Sequence, residues 1–186
     1  PGVRFDAAQF IYIGRMASME SALMVWNDAG VRTVDQWRQK EIVFGSTGKA
    51  NQDYFVPYIA GQVLGLKVKT VQGYKGSNEI NLAMEKREVD AMSMSWASLL
   101  IRLPHWINEN KVTALAFNGL ELPPDAPKAP LLMDLTKNDD DRKLLELIAN
   151  PAAIGRTFTL PPGTSAERVA ALRKAFDAMM KDAKFL

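Results

Sequence analysis

Apolar and polar positions along the chain set out short strands alternating with helices. Residues 10–13 (Phe-Ile-Tyr-Ile) and 22–26 (Ala-Leu-Met-Val-Trp) read as two short buried strands. Thr33 opens a helix: Gln36 follows at capping-box spacing, and Val34 and Trp37 give it an apolar side. Residues 41–45 form the next strand, rich in β-branched and aromatic side chains. From Asn51 to Leu64 the apolar positions Tyr54, Phe55, Tyr58, Ile59 and Val63 keep helical spacing. Gly65 ends that helix, and Pro57 should kink it or mark its real start. A strand over 68–71 leads to a helix from about Asn78 marked by Ile80, Ala83, Met84 and Arg87, and a further strand spans 89–93.

Residues 95–101 read as helical, and Pro104 starts a short helix carrying His105 and Trp106. A buried strand spans 112–117, and the segment 122–130, with Pro123, Pro124, Pro127 and Pro130, is loop. Asn138 and three aspartates cap a helix running to about Ala149. A strand over 155–160 and a Pro-Pro-Gly turn precede an amphipathic helix over 165–181, whose apolar face is Val169, Leu172, Phe176, Met179 and Met180. This alternation predicts an α/β fold with a mostly parallel sheet covered on both sides.

Two stretches repeat one arrangement, an apolar strand, a loop of small polar residues and a helix start. The first loop is Ser46-Thr47-Gly48 with the helix from Asn51; the second is Gly73-Tyr74-Lys75-Gly76-Ser77 with the helix from Asn78. Backbone N–H groups at the positive end of a helix dipole suit an anion. Both loops follow strands, so both belong at the carboxyl edge of the sheet, where such folds bind ligands. Taken alone, each loop reads as well as a plain turn, and Ser77 as a simple N-cap; the pairing favours binding.

Composition narrows the chemistry. The 186 residues are 47% hydrophobic and 24% charged, as in ordinary globular chains. A net charge of +2 without a basic run gives no case for nucleic acid, and no apolar stretch is long enough to span a membrane. The absence of cysteine removes disulfides, thiolate nucleophiles and Cys-ligated zinc; a single histidine, His105, rules out a His-rich metal site. The Gly45–Lys49 stretch is not a P-loop: Val43 stands where its first glycine belongs and Ala50 follows the lysine. It is not a Gly-x-Ser-x-Gly nucleophile elbow either. Residue 1 is proline and the first apolar run is late and interrupted, so the chain is expected to be a processed protein or a fragment.

Other candidates have bland readings that weigh more. Asp90 could be a catalytic carboxylate, but an Asp at the head of a strand more often braces a neighbouring loop. Ser93, Ser95 and Ser98 could line a pocket or merely form turns. Trp96 and Trp106 read first as packing, His105 as a surface or capping residue, and the methionines as core filling.

With these residues laid out, the chain resembles the solute receptors of the tripartite tricarboxylate transporter family, the Bug-type periplasmic binding proteins. The resemblance rests on residues 43–48, 73–77, 82–90, 126–133 and 160–172, which occur in the family's order. It implies a type II periplasmic binding protein-like fold. This chain would then supply mainly the second lobe, with a C-terminal strand and helix that return to the first. The expected division is crossover strands over 1–27, the ligand-binding lobe over 28–150 and the return segment over 151–186. The family's N-terminal stretch would be missing. The resemblance further implies a periplasmic location, a small di- or tricarboxylate or related organic anion as ligand, membrane permease subunits as partners, a monomer, and neither catalytic residues, metal nor cofactor. Its ligand contacts map onto Ser46, Thr47, Gly48 and Asn51 in the first loop, Gly76, Ser77 and Asn78 in the second, and Asp90; Ser95 joins them as a strand-end serine. Arg87 replaces a family glycine, and Lys49-Ala50-Asn51 departs from the family's Gly-Ser, adding a cation that would favour a more anionic ligand. An enzyme acting on a carboxylated or phosphorylated metabolite, and a remnant that has lost its ligand, are the alternatives.

Overall fold

A computed structural model describes residues 5–185. The first four residues of the expected 1–27 segment, and Leu186, lie outside the described residues. The chain falls into two compact units: Met19–Ala153, and the residues that precede and follow it.

The larger unit is built on five strands: β2 (Ser21–Trp26), β3 (Ile42–Ser46), β4 (Val68–Gln72), β5 (Ala91–Ser95) and β6 (Val112–Asn118), in the order β4-β3-β5-β2-β6. β3 pairs in parallel with β4 and β5, whereas β2 runs antiparallel to β5 and β6. Four strands therefore share one direction, and β2 lies among them reversed. Every residue of β2 is buried, as a central strand covered on both faces requires. β2 thus belongs to this sheet, and the larger unit begins at Met19.

Side-chain alternation splits the core into two layers. Leu23, Val25, Ile42, Phe44 and Ala91 face α1 (Val34–Gln39), α2 (Gln52–Leu64) and α6 (Asp139–Ile154). Ala22, Met24, Trp26 and Met92 face α3 (Ser77–Glu85), α4 (Trp96–Arg102) and α5 (Pro104–Asn108). α2 and α4 leave the neighbouring strands β3 and β5 for opposite faces. That makes the β3/β5 boundary the point where the winding reverses, the place where open α/β sheets hold ligands.

The caps account for several boundaries. Thr33 Oγ1 accepts the Gln36 N–H at 3.2 Å, and Gln36 Oε1 accepts the Arg32 N–H at 2.7 Å, so the expected capping box forms one residue out of register. Asn138 Oδ1 accepts the N–H groups of Asp140 and Asp141, and α6 runs on through Pro151 to Ile154, past the expected end at Ala149. Pro57 lies buried inside α2 and does not start it; Asn51 is its N-cap.

The smaller unit is an antiparallel ribbon of β1 (Ile11–Ala17) and β7 (Arg156–Leu160) with α7 (Ala166–Met179). The apolar run around Phe10 is not a buried strand: Phe10, Tyr12 and Phe158 are all exposed. A ribbon and one helix cannot enclose their own apolar residues. Gly14 is needed where α7 crosses, since a Cβ there would come within 2.3 Å of the Phe176 ring.

Candidate functional site

The carboxyl edge of the large sheet carries a row of small polar side chains. Ser46 is the register partner of Gln72, so the loops after β3 and β4 emerge side by side. Ser95 pairs with Ser21, and Ser21 with Asn118. Alternation places Ser46, Ser93, Ser95, Ser21 and Asn118 on the α2/α6 face, above the apolar layer headed by Phe44 and Leu23. Ser46, Ser93, Ser21 and Asn118 are buried.

The first loop is closed by its own helix. Asp53, in the first turn of α2, accepts the Ser46 hydroxyl on Oδ1 at 3.0 Å. On Oδ2 it accepts the Thr47 N–H at 3.0 Å and the Thr47 hydroxyl at 2.7 Å. Ser46 Oγ in turn accepts the Gly48 N–H at 3.1 Å, and Thr47 Oγ1 accepts the Asn51 side-chain N–H at 2.8 Å. Asn51 therefore ties the loop instead of capping α2 with its side chain. Next to it, Gln52 donates from its side chain to Ser21 Oγ at 3.2 Å.

The second loop is held differently. Gly76, in extended backbone, is the N-cap of α3, so Ser77 is the first helical residue and not the cap. Glu79 turns back to accept the Lys75 N–H at 2.9 Å. The N–H groups of Ser77 and Asn78, which have no intrahelical partner at this end of a helix, meet no acceptor among the described residues. Beside them Arg102, from the end of α4, donates to Ser77 Oγ at 3.4 Å and to Asn78 Oδ1. The whole turn rests on Gly45: Ile80 Cγ2 and Tyr74 lie 2.7 and 3.4 Å from where its Cβ would be. Burial, and then the charge of Glu88, push the Tyr74 phenol up, so it packs there as a neutral ring.

Ser95 joins this edge as the N-cap of α4, accepting the Ser98 N–H at 3.4 Å. Asp90 does not. It precedes β5 at the opposite edge, where its carboxylate accepts the Val43 N–H at 3.0 Å and its own N–H bonds Val43 O at 2.9 Å. His105 is likewise remote, exposed on α5 before the start of β6, 4.0 Å from Glu85. Asp53, Gln52, Ser21, Asn118 and Arg102 were not singled out by sequence. Of these only Asp53 left a trace, as an acid in a helix's first turn.

Arg87 sits just past the end of α3 with φ 64°, the left-handed conformation that a glycine adopts without strain. Its guanidinium pairs with Asp28 and lies 4.3 Å over the Trp26 ring, contacts that offset the backbone strain.

The edge thus offers hydrogen bonds and one guanidinium to a small anion. No cluster of three or more His, Asp or Glu able to hold a metal occurs among the described residues, and no helix among them is long and apolar enough to cross a membrane.

No family model matches the chain, and no curated protein matches it in sequence. Its fold has close counterparts among solved structures. A TctC solute-binding protein from Polaromonas, without ligand, superposes with a TM-score of 0.68 at 17% identity over 98% of this chain and 59% of its own. An R. palustris protein with adipate gives 0.64 at 16% identity over 97% and 58%. The periplasmic binding protein BugD gives 0.62 at 18% identity over 95% and 56%. The structural neighbours are TctC/Bug-type solute-binding proteins, and the chain has their α/β fold while spanning under two thirds of their length.

Proposed function

We propose that the chain is the carboxylate-binding lobe of an extracytoplasmic solute receptor of the tripartite tricarboxylate transporter type. The observation that carries this reading is the start of α3: two N–H groups without acceptors, at the positive end of a helix dipole, with Arg102 held against the same turn by Ser77 and Asn78. A carboxylate there accepts both amides and gains the guanidinium charge. The adipate held by one neighbour supports the ligand class. In this reading the ligand is captured between this lobe and a second one, without covalent chemistry, and is released to a membrane permease. Asp90 and His105, the residues an enzyme reading would use, lie away from this edge.

The test is a thermal-shift screen of the chain against mono-, di- and tricarboxylates. A ligand at about a hundred times its Kd adds about 2.7 kcal/mol, which for a chain of this size raises Tm by roughly 5–10 °C. No rise with any carboxylate defeats the proposal for this lobe.

A further inference from the structure

We propose that Asp53 sets the specificity of the first loop: its carboxylate already fills the anion cradle formed by Ser46 and Thr47. A ligand's carboxylate is thereby directed to the second loop, and the group it turns to the first loop is uncharged. This rests on the receptor reading for the identity of the ligand, but the filling of the loop does not.

Three donors converge on Asp53, the Ser46 hydroxyl and the amide and hydroxyl of Thr47, all at 2.7–3.0 Å. These are distances of charge-assisted hydrogen bonds. The hydroxyl protons being spent inward, Ser46 Oγ and Thr47 Oγ1 act as acceptors on their other side, for the Gly48 N–H and the Asn51 side chain. The hydroxyls of Ser46 and Thr47 and the amides of Thr47 and Gly48 are therefore engaged by the chain's own oxygens. An incoming carboxylate would meet acceptors and the Asp53 charge, and could displace Asp53 only against an intramolecular competitor of high effective concentration. Lys49 is exposed and can balance that charge without returning the donors. This overrides the expectation from Lys49 alone of a more anionic ligand. In the second loop the corresponding acid, Glu79, takes only the Lys75 N–H and leaves those of Ser77 and Asn78.

The experiment follows amide resonances of the isotope-labelled chain during titration with sodium acetate and sodium adipate. In the unchanged chain the Thr47 amide stays fixed while Ser77 and Asn78 move saturably. In Asp53→Ala the Thr47 amide moves as well, and adipate affinity rises roughly tenfold. Asp53→Asn keeps the side-chain shape without its charge, and shows the same Thr47 response should Asp53→Ala fail to fold. A saturable Thr47 shift in the unchanged chain overturns the proposal. So does a Thr47 amide that stays fixed in a folded variant. Ser77 and Asn78 are read separately: if they are fixed in every sample, the receptor reading falls, while Thr47 still decides the role of Asp53.

Discussion

The two strand-loop-helix turns look alike in sequence and differ in what they have left to offer. In the first, an acid in the first turn of α2 reaches back and takes up the Ser46 hydroxyl and the amide and hydroxyl of Thr47. In the second, the acid of α3 stops at Lys75, and two helix-terminal amides remain beside a guanidinium. The same motif thus has its Ser46 and Thr47 donors filled by a carboxylate of the chain in one place, and a guanidinium set beside its helix-terminal amides in the other. The position of one carboxylate, not the glycine and serine content of the loop, makes the difference.

The comparison can be broken from either side. The largest effect is expected at Asp53. Asp53→Ala removes three hydrogen bonds to one carboxylate and should lower stability by about 2–3 kcal/mol in urea unfolding, with the α3 end still able to bind acetate. Gly45→Ala acts on the other turn. Its Cβ would press within 2.7 Å of the fully buried Ile80 and lift α3, costing about 2 kcal/mol and weakening carboxylate binding while the Asp53 bonds persist. Smaller again is Arg87→Ala, which keeps the left-handed strain and loses the Asp28 pair and the Trp26 contact. About 1 kcal/mol should be lost by thermal unfolding. Arg87→Gly relieves the strain as it loses the contacts, and its loss should be smaller than that of Arg87→Ala.

Much of the fold was legible because local signals agreed. Thr33 with Gln36, Asn138 with its aspartates, and Gly65 each sit at a helix end as their chemistry dictates. Both loops emerge at one edge, because each follows a strand of the same direction. The apolar run at 10–13 misled: apolar content marks a strand, but only its partners decide whether that strand is covered, and among the described residues β1 pairs with β7 alone. The reversed direction of β2 also escaped, since the pairing of residues 21–26 with 91–95 and 112–118 is non-local.

At the site, Ser46, Thr47, Asn51, Ser77, Asn78 and Ser95 were readable from position after a strand, and the structure puts them along one edge. Asp90 lies at the other, because it precedes its strand instead of following it. Arg102 could not be read. It reaches Ser77 and Asn78 across 24–25 residues, only because α4 folds back over the same face as α3.

In the proposed receptor the free amides at the start of α3 hold the carboxylate. This is tested most directly by calorimetric titration of adipate into Ser77→Ala and Ser77→Pro. Proline is at home at the first helical position, and extended Gly76 suits the residue before it, so the second variant removes the N–H and keeps the helix. Both variants lose the hydroxyl, so their difference isolates the amide. Binding should be roughly tenfold weaker in Ser77→Pro than in Ser77→Ala; equal affinities would mean that the amide does not hold the carboxylate.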